Sequence, residues 1–483
     1  MNETAISSSR APDGAVPPAL VWLRRDLRLA DNPALDDAIR LGGPVVAVWI
    51  LDPETEALGA AHRWRLEASL ARLADAMEAL GGRLILRRGE ALEVLRALVA
   101  ETGARALRWN RLHDRAARAR DTAVKAALTE DGLDIRSFNG SLLHEPWEVE
   151  TGAGGHYKVY SPFWRAIAER VVHEPIDAPG RWPAPEAWPE TDRLDDWAMA
   201  ADMRRGARAL AAHVRPGEAA ALDRLEEFLE ERVEDYASDR DRLDRRATSG
   251  LSDALAVGEL SARRIWTAAR PRRQGAKAKP VEKFMQELAW RDFAYHLLHH
   301  APRMETENWR EDWDAFPWRF ANDDAEAWTR GLTGEPLIDA AMRELWVTGT
   351  MHNRARMLVA SYLTKHLMTH WRVGEAWFRD TLVDWDPASN AMGWQWVAGS
   401  GPDAAPFFRV FNPETQAGKF DPDGAYRDHW LKGAGAEAFF DAIPRAWNLS
   451  PSDRRPAPRI SLKAGRERAL SAYGDLRDAR APA

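Results

Sequence analysis

The chain has 483 residues, of which 45% are hydrophobic and 29% charged, so it is long enough for two domains with ordinary globular cores. A formal net charge of −7 excludes a general attraction to nucleic acid, so any such contact would need a local basic patch. The chain has no cysteine, which excludes disulfides, thiolate metal sites and cysteine nucleophiles, and we expect no metal. Its 23 tryptophans can fill a core, but they also suit an aromatic ligand, stacked bases or electron transfer.

The first 18 residues are rich in Ser, Pro, Ala and Gly and contain no apolar run long enough for a signal peptide. No later stretch approaches the roughly 20 apolar residues that a membrane helix needs. We therefore expect a disordered tail over residues 1–18 and a cytoplasmic monomer with no membrane partner.

Residues 19–145 alternate between strand-like runs and helical patterns. The strand-like runs are Ala19–Leu23, Val45–Ile50, Arg83–Leu86, Ala104–Trp109 and Asp134–Phe138. Strand and helix in repetition predict an α/β domain with a five-stranded, parallel, Rossmann-like sheet and right-handed crossovers. Arg24, Arg25 and Asp26 follow the first run in place of a glycine-rich dinucleotide fingerprint, so ordinary dinucleotide binding is not predicted.

Pro, Gly and Trp accumulate over residues 146–216, which indicates an ordered connector between two domains. Beyond it, apolar residues recur at helical spacing, for example from Leu222 to Val233 and from Leu337 to Leu345. The sequence therefore predicts an all-α domain over residues 217–475.

The most distinctive stretch runs from Asp384 to Trp396. Two acids flank Trp385, Pro387 interrupts any preceding helix, and Asn390 precedes a Trp-Gln-Trp run. These residues offer a buried polar ligand two carboxylates and an amide beside large aromatic rings. Taken alone, the stretch is more simply a capped turn that leads into a tryptophan-rich core helix.

This stretch resembles the flavin-binding loop of the DNA photolyase and cryptochrome family. Three further stretches carry the same resemblance in the same order: Val21–Arg28 with the following Asp31-Asn32-Pro33, then Gln286–Phe293, then Met351–Met357. The similarity runs from about Leu20 to Trp430 and is most like microbial cyclobutane pyrimidine dimer photolyases. It implies an antenna-chromophore domain over residues 19–145 and an FAD-binding catalytic domain over residues 217–475. The implied activity is light-driven repair of pyrimidine dimers in DNA by electron transfer from excited reduced FAD, a carbon–carbon lyase reaction.

The resemblance also implies which residues bind FAD. The first group is Tyr236 with the hydroxyl-rich turn that holds the pyrophosphate: Thr248, Ser249, Gly250, Leu251 and Ser252. Such a turn before a helix can bind phosphate through backbone amides, although an isolated one is usually a plain cap. The second group is Arg291, Arg356, Asp384, Asp386 and Asn390, with Arg356 paired to Asp384 beside the flavin. Asp386 and Asn390 are expected near the polar edge of the isoalloxazine ring.

Five residues are implied to be catalytic, around the pocket for the dimer: Glu287, Trp290, Asn353, Met357 and Trp396. Glu287 and Trp290 lie three residues apart on one helical face. In the family this acid hydrogen-bonds a thymine carbonyl and the indole stacks on the flipped-out bases. The implied DNA contacts are Arg240, Glu287, Trp290, Asn353 and Arg354, and the basic stretch 270–279 is a further candidate for phosphate contacts.

Trp318, Trp371 and Trp394 match the family's electron-transfer triad by their distances from the motifs. Each alone would be read as a packing residue. As a set, they imply electron transfer from the protein surface inward to the flavin.

The antenna chromophore is expected in the first domain, with methenyltetrahydrofolate ahead of 8-hydroxy-5-deazaflavin. Ala116 and Ala117 stand where one folate-binding subgroup carries an Asn-Glu pair, so that subgroup's contacts are missing. Two alternative functions remain: a cryptochrome-type blue-light photoreceptor, and repair of (6-4) photoproducts. Thr350 and Trp385 depart from the family pattern, since relatives often have an aromatic residue and a glycine there.

Overall fold

A computed structural model describes residues 16–275, 278–403, 408–451 and 456–479, so nearly all of the predicted tail lies outside the described residues. The first domain contains five strands: β1 (Ala19–Leu23), β2 (Val45–Leu51), β3 (Leu84–Arg88), β4 (Ala106–Asn110) and β5 (Asp134–Phe138). They form one parallel sheet in the order β3-β2-β1-β4-β5. The predicted five-stranded parallel sheet is confirmed.

The helices of the first domain are α1 (Pro33–Arg40), α2 (Pro53–Glu56), α3 (Ala60–Ala79), α4 (Ala91–Thr102) and α5 (Arg115–Glu130). Every residue of β1, β2 and β4 is buried, as expected for strands covered on both faces. The strand order reverses between β1 and β4, and ligands of such sheets bind beyond the carboxyl ends of the strands at that point. Arg24 and Arg25 follow β1 directly at this edge.

The connector is irregular but packed against the sheet. Its helices are α6 (Tyr160–Ile167), α7 (Leu194–Trp197) and α8 (Ala207–Ala211). Trp182 is 2% exposed, and its indole N–H donates a hydrogen bond of 2.9 Å to the carbonyl of Val45 on β2.

The rest of the described chain is helical, with only an isolated bridge between Arg319 and Thr369, and the predicted all-α second domain is confirmed. The helices are α9 (Glu218–Glu227), α10 (Tyr236–Asp239), α11 (Ser252–Val257), α12 (Ala262–Ala269), α13 (Ala278–His300), α14 (Asp323–Thr329), α15 (Pro336–Thr348), α16 (Asn353–Ser361), α17 (Trp371–Thr381), α18 (Pro387–Ala398), α19 (Pro413–Phe420), α20 (Ala425–Leu431), α21 (Ala434–Ala442) and α22 (Leu462–Asp478). No described helix is both long and apolar enough to cross a bilayer.

Helix α3 of the first domain packs directly on the second domain. A side chain at Gly59, just before α3, would collide with the backbone of Arg379 on α17. Arg65 on α3 is completely buried and pairs with Asp253 at 3.2 Å and with Glu259. Removing one member of a buried ion cluster leaves the others without compensation, so this cluster fixes how the two domains meet.

Candidate cofactor and substrate site

Helix α18 begins beside the site with a strong N-terminal cap. The Asp386 carboxylate accepts a hydrogen bond of 2.8 Å from the backbone N–H of Ser389, and Pro387 occupies the first helical turn, where it needs no N–H partner. The second carboxylate oxygen of Asp386 accepts a hydrogen bond of 2.7 Å from the hydroxyl of Tyr295. The Asp386 carboxylate therefore both caps α18 and forms part of the wall of the site. Its contact with Tyr295 was not predicted from the sequence.

The predicted ion pair between Arg356 and Asp384 is present. Nη2 of Arg356 lies 2.7 Å from Oδ2 of Asp384, and Nε donates to the carbonyl of Met351 at 2.8 Å, which fixes the guanidinium. The Asp384 side chain is 2% exposed, and its Oδ1 is buried without a hydrogen-bond partner among the described residues. A buried acceptor without a partner is costly, so this oxygen fits the N–H of a bound polar ring.

Two adjoining cavities, of about 240 and 170 Å³, share Arg356, Asp384, Asp386 and Ser389 in their walls. Only when the two are taken together do their volume and their mixed apolar and polar walls match those of a ligand pocket. The first is also lined by Tyr236, Ser249, Leu251, Ser252, Glu287 and Arg291. The second is also lined by Asn353, Met357, Trp385, Asn390 and Trp394. These cavities therefore bring together most of the residues implied to bind FAD or the dimer.

Two arginines donate hydrogen bonds to backbone carbonyls of the hydroxyl-rich turn, and the sequence did not predict either contact. Arg224 on α9 donates to the carbonyl of Gly250 at 2.8 Å, and Arg232 donates to the carbonyl of Thr248 at 3.1 Å. Thr248 and Gly250 do not line the cavity, whereas Ser249, Leu251 and Ser252 do. Gly250 has φ +64°, a left-handed conformation that glycine adopts without strain.

Glu287 lies at the edge of the first cavity between two cations. Its carboxylate contacts Arg240, and Nζ of Lys283 lies 2.9 Å from it, one turn away on α13. Burial would raise the pKa of Glu287, but the hydrogen bond and charge of Arg240, with Lys283, hold that pKa below its ordinary value. The carboxylate is therefore ionised, and it accepts hydrogen bonds but donates none. Arg240, predicted to face DNA, is tied to this acid.

Trp290 lies flat against Tyr160, with ring centroids 3.7 Å apart and an interplanar angle of 9°. The Tyr160 hydroxyl donates a hydrogen bond of 2.6 Å to the carbonyl of Gln286, which fixes the stack. Trp290 remains partly exposed and lines neither cavity. Trp290 and Tyr160 therefore make a fixed aromatic surface beside the two cavities. Because Tyr160 lies over 100 residues from Trp290 in sequence, the motif around Trp290 could not indicate it.

Four predicted site residues have other contacts. The Asn390 amide donates to Oε1 of Glu375 at 2.9 Å, so only its oxygen remains for a ligand. Arg291 donates to the carbonyl of Ser141 at 2.8 Å and lies 3.8 Å from Asp386. Arg354 pairs with Asp241 and lies over the ring of Phe420. Trp396 lines neither cavity, and its indole N–H donates to the carbonyl of Asp403 at 3.0 Å.

The three tryptophans of the implied triad belong to one buried cluster. Trp394 lines the second cavity and packs so closely on α17 that a side chain at Gly374 would collide with its ring. Trp371, at the start of the same helix, is fully buried and donates to Oδ1 of Asn308 at 2.8 Å. Trp318 is 9% exposed and donates to the carbonyl of Thr364 at 2.8 Å. The set therefore shares one buried cluster, with Trp394 on the cavity wall.

Two further cavities border the first domain. An interdomain cavity of about 770 Å³ lies between the carboxyl edge of the sheet and helices α17 and α18, and its walls include Arg25, Trp49, Ala116, Ala117 and Trp385. A smaller pocket of about 200 Å³ lies at the ends of β4 and β5. We call it the Trp147 pocket, and its walls are Trp109, Arg111, Leu112, His113, Arg118, Asp121, Thr122, Lys125, Ser137 and Trp147.

The basic stretch 270–279 is only partly described, because residues 276 and 277 lie outside the described residues. Arg273 pairs with Glu169 at 3.2 Å. That arginine is therefore engaged with the connector.

The fold and the cavities define a protein with an α/β domain and a helical domain that contains a polar, cofactor-sized site. Residues 284–475 match the model of the FAD binding domain of DNA photolyase, and residues 19–183 match the DNA photolyase model. The chain therefore belongs to the DNA photolyase and cryptochrome family.

Individual relatives come from both branches of that family. A deoxyribodipyrimidine photo-lyase of Agrobacterium fabrum is 45% identical over 95% of this chain and 98% of its own length. Cryptochrome-1 of Arabidopsis thaliana is 35% identical over 90% of this chain and 65% of its own length. Among solved structures, a class III photolyase from Agrobacterium tumefaciens matches with a TM-score of 0.88 at 44% identity, over 98% of this chain and 100% of the other.

Proposed function

We propose that this protein is a deoxyribodipyrimidine photo-lyase that uses light to split cyclobutane pyrimidine dimers in DNA, and that it acts as a cytoplasmic monomer. In this proposal residues 19–145 carry the antenna, and residues 217–475 carry FAD and the dimer. The observation that carries it is the grouping of Glu287, Asn353 and Met357 on cavities whose shared wall is Arg356, Asp384 and Asp386. The likeness to the two Agrobacterium photolyases supports repair over signalling.

Bound FAD in its reduced state would supply the chemistry, by lending an electron to the dimer after absorbing light and taking it back after the ring has split. The protein would hold it with the Asp384 carboxylate, fixed by Arg356, and with the serines of the 248–252 turn. Asp386 is anchored by Tyr295, so the polar wall does not need to reorganise when charge moves.

The dimer would enter from the surface beside Trp290. Photolyases are among the enzymes that flip their target bases out of the duplex, at a cost of a few kcal/mol that is lowest at damaged sites. The Tyr160–Trp290 stack offers a rigid apolar plate for such bases, and Asn353 and Met357 offer an amide and a polarizable thioether on the opposite helix, α16.

Glu287 provides the sharpest test of the dimer site. We expect Glu287→Ala to lower the quantum yield of dimer splitting without abolishing it, since a hydrogen bond to a charged group contributes about 1.5–3 kcal/mol. Because the carboxylate is ionised beside Arg240, it cannot donate to a thymine carbonyl as the resemblance implied. We expect it instead to accept the N–H of a base, and Glu287→Gln should recover only part of the yield. The measurement is blue-light repair of a dimer-containing oligonucleotide at equal FAD occupancy, with Asn353→Ala alongside.

Flavin content should be unchanged in these variants, because Asp384, Asp386 and Arg356 are intact. Absence of repair by the fully reduced parent protein would overturn the photolyase assignment and favour a photoreceptor. Normal repair by both Glu287→Ala and Asn353→Ala would leave the photolyase assignment intact but show that neither side chain contributes to the dimer site.

We also propose a folate antenna, methenyltetrahydrofolate, in the Trp147 pocket. Trp147 is 43% exposed and offers its indole to a planar ring, while Arg118 and Lys125 provide cations for the folate's carboxylates and Arg111 is already paired with Glu145. The interdomain cavity is a weaker candidate for folate, because Ala116 and Ala117 line it where one subgroup has polar residues. The alternative ligand is 8-hydroxy-5-deazaflavin.

Reconstitution of the purified protein with each chromophore tests this assignment. We expect Trp147→Ala to lose the near-ultraviolet absorption band of bound folate and its energy transfer to FAD, since the exposed stacking face is gone. Ala116→Trp, which narrows the interdomain cavity, is the matched control and should retain both. Loss of folate in Ala116→Trp alone would place the antenna in the interdomain cavity, and binding of deazaflavin only would overturn the choice of chromophore.

A further inference from the structure

We propose that Asp241 is an internal competitor of DNA: its carboxylate occupies Arg354 in the free protein and gives up this arginine to a DNA phosphate in the complex. Arg354 lies on α16, one residue after Asn353, and its guanidinium pairs with the Asp241 carboxylate. The inference rests on the proposed DNA binding, and it adds a residue that limits how tightly the protein holds DNA.

This pair ends a chain of alternating charges that joins the two helices of the dimer site. Lys283 and Glu287 lie on α13, with Nζ of Lys283 2.9 Å from the Glu287 carboxylate. Glu287 also contacts Arg240, whose Nε lies 3.8 Å from Asp241, and Asp241 in turn contacts Arg354 on α16. Three cations and two carboxylates give the chain one net positive charge, and a cation stands at each end.

His352, the N-cap residue of α16, lies beside this chain but adds no charge at neutral pH. Burial lowers the pKa of His352 to about 4, although the charge of Asp241 acts to raise it. The imidazole is therefore neutral. The charge at the start of α16 is set by Arg354 and by the carboxylate that neutralises it.

The pair between Arg354 and Asp241 is placed where an exchange of partners is possible. The two side chains are 18% and 31% exposed, so solvent and DNA can reach them. Nη2 of Arg354 donates to Asp241, while its Nε has no hydrogen-bond partner among the described residues, so the guanidinium has a donor to spare. The guanidinium also lies 4.6 Å from the centroid of the Phe420 ring, which holds it in place when its partner changes.

The chemistry of the two acceptors favours the exchange. A phosphate and a carboxylate both present oxygen pairs that match the planar guanidinium, so one can replace the other. Ion pairs as exposed as this one contribute little to stability, and breaking the pair with Asp241 therefore costs little when a phosphate takes its place.

Competition of this kind weakens binding to DNA of any sequence. Phosphate contacts supply affinity without reading bases, so they hold the protein on undamaged DNA as well as on a dimer. An arginine that must first leave Asp241 contributes less to that affinity. Contacts with the dimer itself then decide where the protein stays.

Fluorescence anisotropy of the FAD-loaded protein with undamaged and dimer-containing duplexes, in the dark and at low salt, tests the competition. We expect Asp241→Asn to bind both duplexes roughly two- to fivefold more tightly, because Arg354 no longer has a charged partner to leave. Asp244→Asn is the matched control and should bind as the parent does. It removes the same charge three residues away, but Asp244 accepts from Nε of Arg242 at 2.8 Å. Unchanged or weaker binding by FAD-loaded Asp241→Asn, or an equal gain in Asp244→Asn, would overturn the proposal.

The variant Arg354→Met separates competition for one arginine from a general effect of charge. Adding Asp241→Asn to Arg354→Met should give no further gain in affinity, because the arginine for which the two acceptors compete is absent. A gain as large as that in the parent background would show that Asp241 acts by repelling DNA and would contradict the proposal.

A second measurement needs no change at Asp241. Single phosphates around the dimer are replaced by uncharged methylphosphonates, and binding by the parent protein and by Arg354→Met is compared. At least one replacement should weaken binding by the parent but not by Arg354→Met, which identifies the phosphate that takes the place of Asp241. If no replacement distinguishes the two proteins, Arg354 does not bind a phosphate and the proposal fails. Absence of any DNA binding by the parent would instead overturn the proposed function itself.

Discussion

Trp371→Phe is expected to abolish the light-driven reduction of bound oxidised FAD while leaving repair by chemically reduced protein nearly intact. Trp371 belongs to the same buried cluster as Trp394, which lines the cavity, and Trp318, which at 9% is the most exposed of the three. Phenylalanine keeps most of the apolar volume but is much harder to oxidise than tryptophan. A charge that reaches Trp394 would then return to the cofactor before an external reductant could replace the lost electron.

The measurement is the decay of the oxidised flavin absorption band under blue light with an external reductant, followed by dithionite reduction and a repair assay on the same sample. Trp394→Phe should behave in the same way. Trp328 also lies near Trp394, with ring centroids 6.0 Å apart, so Trp328→Phe is measured alongside to test a route through Trp328. Photoreduction at the parent rate in Trp371→Phe would contradict the triad, and its loss only in Trp328→Phe would assign the route to Trp328.

Arg356→Met is expected to release most of the FAD. The substitution leaves the Asp384 carboxylate buried without its 2.7 Å partner, and breaking a buried pair in this way costs about 3–5 kcal/mol. Arg356 is 26% exposed, so we expect about the lower end of that range, or roughly a hundredfold loss in cofactor affinity. Methionine matches much of the apolar stem, so the packing of α16 should persist.

The ratio of flavin to protein absorbance after purification, and FAD titration of the cofactor-free protein, measure this loss. Arg354→Met is the matched control, because Arg354 lies on the same helix but pairs with Asp241 and covers Phe420, away from Asp384. We expect that control to retain FAD and to bind DNA more weakly. Equal FAD affinity in both variants would show that the Arg356–Asp384 pair does not hold the cofactor.

Local sequence patterns determined much of the architecture of this protein. The alternation of strand and helix over residues 19–145 predicted the parallel sheet, and helical spacing predicted α9 and α15. Asp386 followed by Pro387 indicated the start of α18, because a cap and a first-turn proline act on backbone groups within three residues. The Arg356–Asp384 pair could also be expected, but only through the resemblance to a family.

Other features were decided only by the tertiary structure. Arg224 and Tyr160 act on the site from elements that no motif connects to it, Tyr295 lies on α13 just beyond the Gln286–Phe293 motif, and Trp290 is held by its stack with Tyr160. Trp385 was visible in the sequence only as a departure from the family pattern. Its place between two cavities arises because α3 of the first domain packs behind the loop that joins α17 to α18. Sequence spacing fixes which side chains share one helix face, whereas contacts between distant elements depend on how the two domains close on each other, and no local pattern encodes that.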